Sequence, residues 1–182
     1  MPVARHVGGC LLGAVLALGA WSARGDETLA AGEPAGLAPA EVVLAIVRYT
    51  RWPAEPRPLL LCLAGDGGLA EALRRLLPEA ADPRGLALRE LPADTGEPPA
   101  DCAAWIHDSE RPAARLVTLH ALAGRPVLTI GWTHAFCRDG GMFCLEQGAG
   151  RTRFEVNLDA VERGRLRVHP QVLRLARARS RG

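Results

Sequence analysis

Aromatic residues are scarce in this chain of 182 residues, where Phe, Trp and Tyr together make up 4%. A buried core must therefore consist mainly of Leu, Val, Ile and Ala, and the chain is long enough for one domain of ordinary size. An excess of one charge is also lacking. The formal net charge of +2 is too small to predict a nucleic-acid partner. Beyond the N-terminus, no segment reaches the roughly 18–20 apolar residues that a membrane-spanning helix needs.

Catalytic motifs are missing too. The chain has no G-x-S-x-G elbow, no H-E-x-x-H motif and no Walker loop. His107, Asp108 and Ser109 follow one another, but neighbours at a strand end point in different directions, which does not suit a catalytic triad. No two cysteines have the Cys-x-x-Cys spacing of a thioredoxin-like redox pair. The sequence therefore predicts neither an enzyme nor a cofactor.

The N-terminus has the three parts of a secretory signal peptide. Arg5 and His6 form a short basic stretch, an uncharged and largely apolar run extends from Val7 to Trp21, and small residues then suit cleavage. We predict a signal peptide over residues 1–23 and export to the periplasm, with no membrane insertion after its removal. A membrane anchor is the alternative, although the apolar run is short for one.

Export changes the interpretation of the cysteines. Removal of the signal peptide removes the first of five cysteines and leaves Cys62, Cys102, Cys137 and Cys144. An oxidising compartment favours disulfides over free thiols, and four cysteines allow three pairings. His134, three residues before Cys137, leaves a metal site open as an alternative. Such neighbours are usually incidental, so we predict no metal.

From residue 39 onward, apolar patterns predict strands that alternate with helices. Continuous apolar runs such as Leu59–Ala64 are typical of strands buried on both faces, and apolar residues at helical spacing, as in Pro39–Arg51, indicate helices. The predicted strands are 59–64, 86–91, 102–107, 126–130, 142–146, 152–157 and 166–169. The predicted helices are 39–51, 69–77, 112–122, 159–163 and 170–178.

Strands that alternate with helices imply a mostly parallel sheet. The strands at 142–146 and 152–157 are separated by a glycine-containing turn that suits a β-hairpin. The predicted fold class is therefore α/β: a single domain over residues 39–178, with a mixed, mostly parallel sheet flanked by helices and a C-terminal antiparallel hairpin. Residues 24–38, rich in Ala, Gly and Pro, are predicted as a flexible lead-in, and residues 179–182 as a tail.

The turn after the first long strand resembles a dinucleotide-binding fingerprint. Gly65 to Ala70 fits G-x-G-x-x-[G/A] between a strand and a helix, and Glu90 ends the next strand, about where a ribose-binding acid would lie. A nucleotide-dependent enzyme that uses the Gly65–Gly68 turn therefore remains an alternative. The pattern is short, and βα turns are rich in glycine for steric reasons alone, so we prefer to interpret it as an ordinary turn.

Three stretches of the chain resemble the YfiR family of signalling repressors. The first is Arg48 to Pro53, a basic and aromatic segment that ends in Trp-Pro, and the second is Leu61 to Asp66. The third and most specific runs from Val127 through Gly140-Gly141-Met142 and Arg153-Phe154-Glu155-Val156-Asn157-Leu158 to Ala176. Their order and spacing extend the resemblance over roughly residues 40–178. The first helix departs from the family pattern, with Val-Leu-Ala-Ile-Val where aromatic residues are common.

The resemblance implies a dimeric periplasmic α/β protein without a catalytic site. It would bind the periplasmic part of an inner-membrane diguanylate cyclase, repress it, and so lower cyclic di-GMP signalling and biofilm formation. An OmpA-like outer-membrane lipoprotein is implied as a second partner that sequesters the repressor. A periplasmic small-molecule-binding sensory domain remains the alternative from another class.

The resemblance also implies a disulfide pairing, Cys62 with Cys102 and Cys137 with Cys144. A sheet that begins in the order 2-1-3 places the first long strand beside the third. Adjacent strands lie about 4.8 Å apart, within the range that a disulfide bridges. The first bridge is then expected to hold the sheet, and the second to shape a surface loop.

Five further residues receive roles from the resemblance. Glu155 and Val161 lie in the stretch where family members contact the cyclase. Arg167 and His169 are two residues apart on a predicted strand, so their side chains share a face. Together with Arg51 they could hold a carboxylate or a phosphate.

Overall fold

The computed structural model describes residues 37–148 and 150–177. The predicted signal peptide (1–23), the predicted tail (179–182) and all of the predicted lead-in except residues 37 and 38 lie outside the described residues. The strands are β1 (Thr50–Arg51), β2 (Leu59–Gly65), β3 (Leu86–Leu91), β4 (Ala104–Asp108), β5 (Leu128–Trp132), β6 (Phe143–Gly148), β7 (Arg151–Val156) and β8 (Arg167–Val168). The helices are α1 (Pro39–Tyr49), α2 (Leu69–Leu76), α3 (Pro112–Leu122), α4 (Thr133–Arg138), α5 (Leu158–Arg163) and α6 (Gln171–Arg177), with a 3-10 turn at Pro78–Ala80.

Six strands form the main sheet, in the order β3-β2-β4-β5-β6-β7. Neighbouring strands from β3 to β6 are parallel, and β7 returns antiparallel to β6 as a hairpin. The predicted α/β class, the mostly parallel sheet and the C-terminal hairpin are confirmed. The first long strand also lies between the second and the third, as the 2-1-3 order requires.

The central strands are buried on both faces. Along β4, Ile106 packs in the cluster that contains the apolar face of α1, while its neighbour Trp105 packs with Leu119 and Leu122 of α3. Each fully buried Leu or Ile side chain contributes roughly 1.5–3 kcal/mol. Both faces of the sheet are therefore covered by helices. Because β2 is buried on both faces, its sequence is a continuous apolar run without alternation.

A second, two-stranded sheet joins β1 to β8. Thr50 pairs with Val168 and Arg51 with Arg167, antiparallel. This pairing corrects two predictions. Helix α1 ends at Tyr49 because the next two residues are extended, and the last predicted strand belongs to this small sheet rather than to the main one.

Helix α4 and the start of α5 also differ from the predictions. No element was predicted between residues 130 and 142, because the six residues of α4 are too few to show a helical period. Helix α5 is capped by Asn157, whose side chain accepts a hydrogen bond from the Ala160 N–H at 3.0 Å. Asp159 lies inside the first turn of α5, where the helix dipole favours a carboxylate.

Two disulfides link elements of the main sheet. Cys62 on β2 bonds to Cys102 just before β4, with Cα atoms 5.8 Å apart, and Cys137 on α4 bonds to Cys144 on β6, with Cα atoms 5.7 Å apart. All four cysteines are buried. The first bridge spans 40 residues of chain and the second only 7. The first bridge thus joins β2 to the residue just before β4, its neighbour in the sheet. The second bridge fixes α4 to β6, the first strand of the hairpin.

The two bridges should contribute unequally to stability, because a longer closed loop restricts the unfolded chain more. We expect replacement of Cys62 and Cys102 by Ala to lower the free energy of unfolding by about 4 kcal/mol, and the same change at Cys137 and Cys144 by about 2 kcal/mol. Urea unfolding of the two double variants, followed by circular dichroism, measures both. A larger loss from the second pair would contradict this ranking.

Candidate interaction surfaces

The glycine-rich turn after β2 is filled by the protein's own carboxylate. Asp108, at the end of β4, accepts a hydrogen bond from the main-chain N–H of Leu69 at 3.3 Å and another from the indole N–H of Trp132 at 2.8 Å. A Cβ atom on Gly65 would overlap the main-chain carbonyl of Asp108. The carboxylate therefore lies at the N-terminus of α2, where the fingerprint would place a pyrophosphate.

Glu90, the proposed ribose-binding acid of the fingerprint, already has a partner within the protein. Its carboxylate accepts hydrogen bonds from Arg74 of α2 at 3.0 and 2.8 Å. Gly65 and Gly67 are thus explained by the close approach of Asp108 at the end of β4, and Glu90 by an ion pair across the α2–β3 layer. Both observations weigh against nucleotide binding here.

His107, Asp108 and Ser109 do not form a triad. The His107 side chain is buried against Trp105, with ring centroids 5.2 Å apart, and neither ring nitrogen has a hydrogen-bond partner among the described residues. Burial lowers the pKa of His107, and the nearby positive charge of Arg115 lowers it further. His107 therefore favours its neutral form and packs as a core residue.

An exposed side-chain contact joins the hairpin to α4. Glu155 of β7 places a carboxylate oxygen 2.7 Å from Nδ1 of His134 on α4, and both side chains are more than half exposed. Exposed pairs of this kind contribute about 0–1 kcal/mol, so this one adds little to stability. Leu158, three residues after Glu155, is 65% exposed. Glu155, with its exposed carboxylate, and the uncovered apolar side chain of Leu158 thus lie along one short stretch of chain.

Val161 lies elsewhere. It is 6% exposed and belongs to the main core beneath α5. Of the two residues predicted to contact a partner, Glu155 is at the surface and Val161 is in the interior. Val161 can act on a partner only by fixing the position of α5.

The structure brings together Arg51, Arg167 and His169. The two arginines are register partners across β1 and β8, and the main-chain N–H of His169 donates to the carbonyl of Tyr49 at 2.8 Å, one step further along. The rings of Tyr49 and His169 stack with centroids 6.1 Å apart. Like charges directly opposite one another are unfavourable, and an anion between the two guanidinium groups would remove that cost.

Among residues 37–148 and 150–177, no three His, Cys, Asp or Glu side chains are arranged to hold a metal ion. Cys137 is in a disulfide, and His134 contacts Glu155. The same part of the chain contains no helix with the length and apolar character needed to cross a bilayer. The site residues that the sequence predicted at the surface lie at the hairpin and in the small sheet.

These features define an α/β domain with charged residues exposed on its hairpin and on its small sheet. The family model described as YfiR/HmsC-like matches residues 38–177, more than half of the chain, and the chain belongs to this family. The family is periplasmic and regulatory rather than catalytic, and its members regulate diguanylate cyclases. The resemblance inferred from the sequence is thereby confirmed.

Sequence reasoning missed two features of these surfaces. Nothing in the local pattern links Asp108 to Trp132 or His134 to Glu155, because each pair joins residues more than twenty positions apart. The available signal for Asp108 was an acidic residue at the carboxyl end of a buried strand, next to a strand that ends in glycine.

The explanation of the glycine turn predicts a contrast between two substitutions. Gly65→Ala should lower the free energy of unfolding by about 1–3 kcal/mol, because its Cβ would press on the β4 main chain. Gly68→Ala is the control: a Cβ there meets no atom within 4 Å, and the change should cost under about 1 kcal/mol. Urea unfolding measures both, and equal losses would refute the packing explanation.

Proposed function

We propose that this protein is a periplasmic repressor that binds the periplasmic part of an inner-membrane diguanylate cyclase and lowers cyclic di-GMP output, and with it biofilm formation. The observation that carries the proposal is the exposed Glu155–His134 pair, within the segment that matches the family. Repression then acts by binding alone, without contact with the nucleotide.

The hairpin is built rigidly enough for such a role. Phe143 and Phe154 pack across β6 and β7 with ring centroids 5.9 Å apart. The Cys137–Cys144 bridge ties α4, which carries His134, to β6. A surface that is already ordered loses less conformational entropy on binding, so more of the contact energy appears as affinity. The proposed contact is therefore Glu155 with its neighbours, and the buried Val161 contributes only by fixing the position of α5.

Further parts of the proposal rest on family membership and, for export, also on the signal-peptide pattern of the N-terminus. They are export through the signal peptide at residues 1–23, a homodimer, and sequestration by an OmpA-like outer-membrane lipoprotein that releases the cyclase.

Charge reversal at the hairpin tests the proposed contact. Glu155→Lys should weaken binding to the cyclase's purified periplasmic domain at least tenfold, about 1.4 kcal/mol, because it replaces the carboxylate and repels any cationic partner group. The measurement is calorimetric titration of the oxidised mature protein, with circular dichroism as a check on folding.

Glu79→Lys is the matched control, since Glu79 is exposed and its carboxylate makes no ion pair in the described part of the chain. Equal affinity of both variants, with the fold intact, would refute the role of Glu155. A second experiment is a pull-down from membranes of the source organism, with the oxidised mature wild type as bait. Failure to recover a diguanylate cyclase would refute the repressor proposal itself.

A small-molecule sensory site is the second candidate. It is supported by the register that places Arg51 opposite Arg167, with His169 following on β8's continuation. If it is correct, a panel of small carboxylic acids should contain a compound that raises the melting temperature of the wild type but not of Arg167→Gln. Arg153→Gln, at an exposed arginine of β7, is the control. No shift in the wild type would count against this site.

A further inference from the structure

A second charged region lies beside the small sheet. The C-terminal end of α1, the segment after β1 and the loop at residues 81–84 enclose an open cleft of about 470 Å³. We call it the arginine cleft. Its charged lining residues are Arg48, Arg51, Glu55, Arg57, Asp82 and Arg84. Four guanidinium groups against two carboxylates leave a formal excess of positive charge.

A buried ion pair forms the inner part of the cleft. Arg84 lies 2.7 Å from Asp82, and both side chains are at most 10% exposed. The Arg84 hydrogen bond lowers the pKa of Asp82 to about 2, so this carboxylate stays ionised at neutral pH. Arg84 also donates to the carbonyls of Val47 and Thr50, at the end of α1. Its charge is therefore used within the fold.

The three outer arginines are different. Arg48 donates to the carbonyl of Ala80, Arg57 to that of Pro83 at 3.1 Å, and Arg51 to that of Arg48 at 2.7 Å and to that of Thr50. Within the described residues, none of the three forms an ion pair with a carboxylate. Main-chain oxygens thus hold three guanidinium groups around one cleft without neutralising them.

Glu55 does not neutralise Arg48, Arg51 or Arg57. One of its oxygens accepts from the Trp52 N–H at 3.3 Å, and the other lies 3.9 Å from Arg84. Each guanidinium carries five N–H donors, and the main-chain bonds use only a few of them. The remaining N–H donors can bind a ligand in the cleft, which the three arginines line. Several guanidinium donors around one space suit an oxyanion, which accepts bidentate hydrogen bonds.

We propose that the arginine cleft binds a phosphate group, held chiefly by Arg48 and Arg57, with Arg51 at the rim. The phosphate belongs either to a soluble phosphate ester or to a lipid headgroup. The site goes beyond the proposed repression of a cyclase and shares only Arg51 with the small-molecule candidate of the β1–β8 sheet.

Inorganic phosphate is the first probe. At constant ionic strength, it should raise the melting temperature of the oxidised mature wild type, and the double variant Arg48→Gln/Arg57→Gln should lose that shift and bind phosphate at least tenfold more weakly. The matched control is Arg138→Gln/Arg153→Gln, at two exposed arginines whose guanidinium groups form no ion pair in the described part of the chain. It should behave as the wild type. Arg57→Gln alone provides the test if the double variant is unfolded by circular dichroism.

Vesicles distinguish the two sources of phosphate. Sedimentation with phosphatidylglycerol vesicles, but not with phosphatidylcholine vesicles, that is lost in the double variant would identify a lipid headgroup. Binding of free phosphate without vesicle binding would identify a soluble ester.

Three results would overturn the proposal: a wild type that binds neither probe, a double variant that binds as the wild type does, or loss of phosphate binding in Arg167→Gln alone, which would place the anion on the small sheet. Cyclase binding, titrated in parallel, should be unchanged in the double variant. Phosphate binding and cyclase binding are therefore tested by separate measurements, and either proposal can be refuted without the other.

Discussion

Two-sided burial of the central strands is the constraint on which the rest of the structure depends. Strands β2, β4 and β5 have almost no exposed side chains, so their main-chain groups must pair within the sheet and both faces must be covered by helices. No charged side chain fits between the layers without a partner. The charged residues are consequently displaced to strand ends, to the hairpin and to the small β1–β8 sheet, which are the places where this protein can meet other molecules.

Several charges at those places serve the fold itself. Asp108 joins the ends of three neighbouring strands, since it contacts the turn after β2 and the indole of Trp132 at the end of β5. Arg84 satisfies carbonyls at the end of α1, where a positive charge is favoured by the helix dipole. Both residues lie at a candidate ligand site: Asp108 occupies the N-terminus of α2 beside the glycine-rich turn, and Arg84 lines the arginine cleft. Arg84 differs from the outer arginines of the cleft because its charge is paired with a buried carboxylate, that of Asp82.

Much of the fold could be predicted because its signals are local. The apolar run of β2 and the periodic face of α1 depend only on neighbours in sequence, and no predicted boundary is wrong by more than two residues. Pairing of Arg51 with Arg167 could not be found in this way, because it joins distant segments. The candidate site was predicted only in part for a similar reason: resemblance can assign a role to Val161, but burial beneath α5 depends on packing that a sequence pattern does not contain.

The order of strands also separates the candidate surfaces. Strand β3, which follows the loop of the arginine cleft, is at one edge of the main sheet, and β7, which carries Glu155, is at the other. Five inter-strand steps of about 4.8 Å place these edges roughly 24 Å apart. That distance exceeds the Debye length of about 8 Å at physiological ionic strength. An anion in the cleft would therefore have little direct electrostatic effect on the hairpin. Any coupling between the two would have to pass through a change in the packed layers, and the sheet that joins them is the most buried part of the molecule.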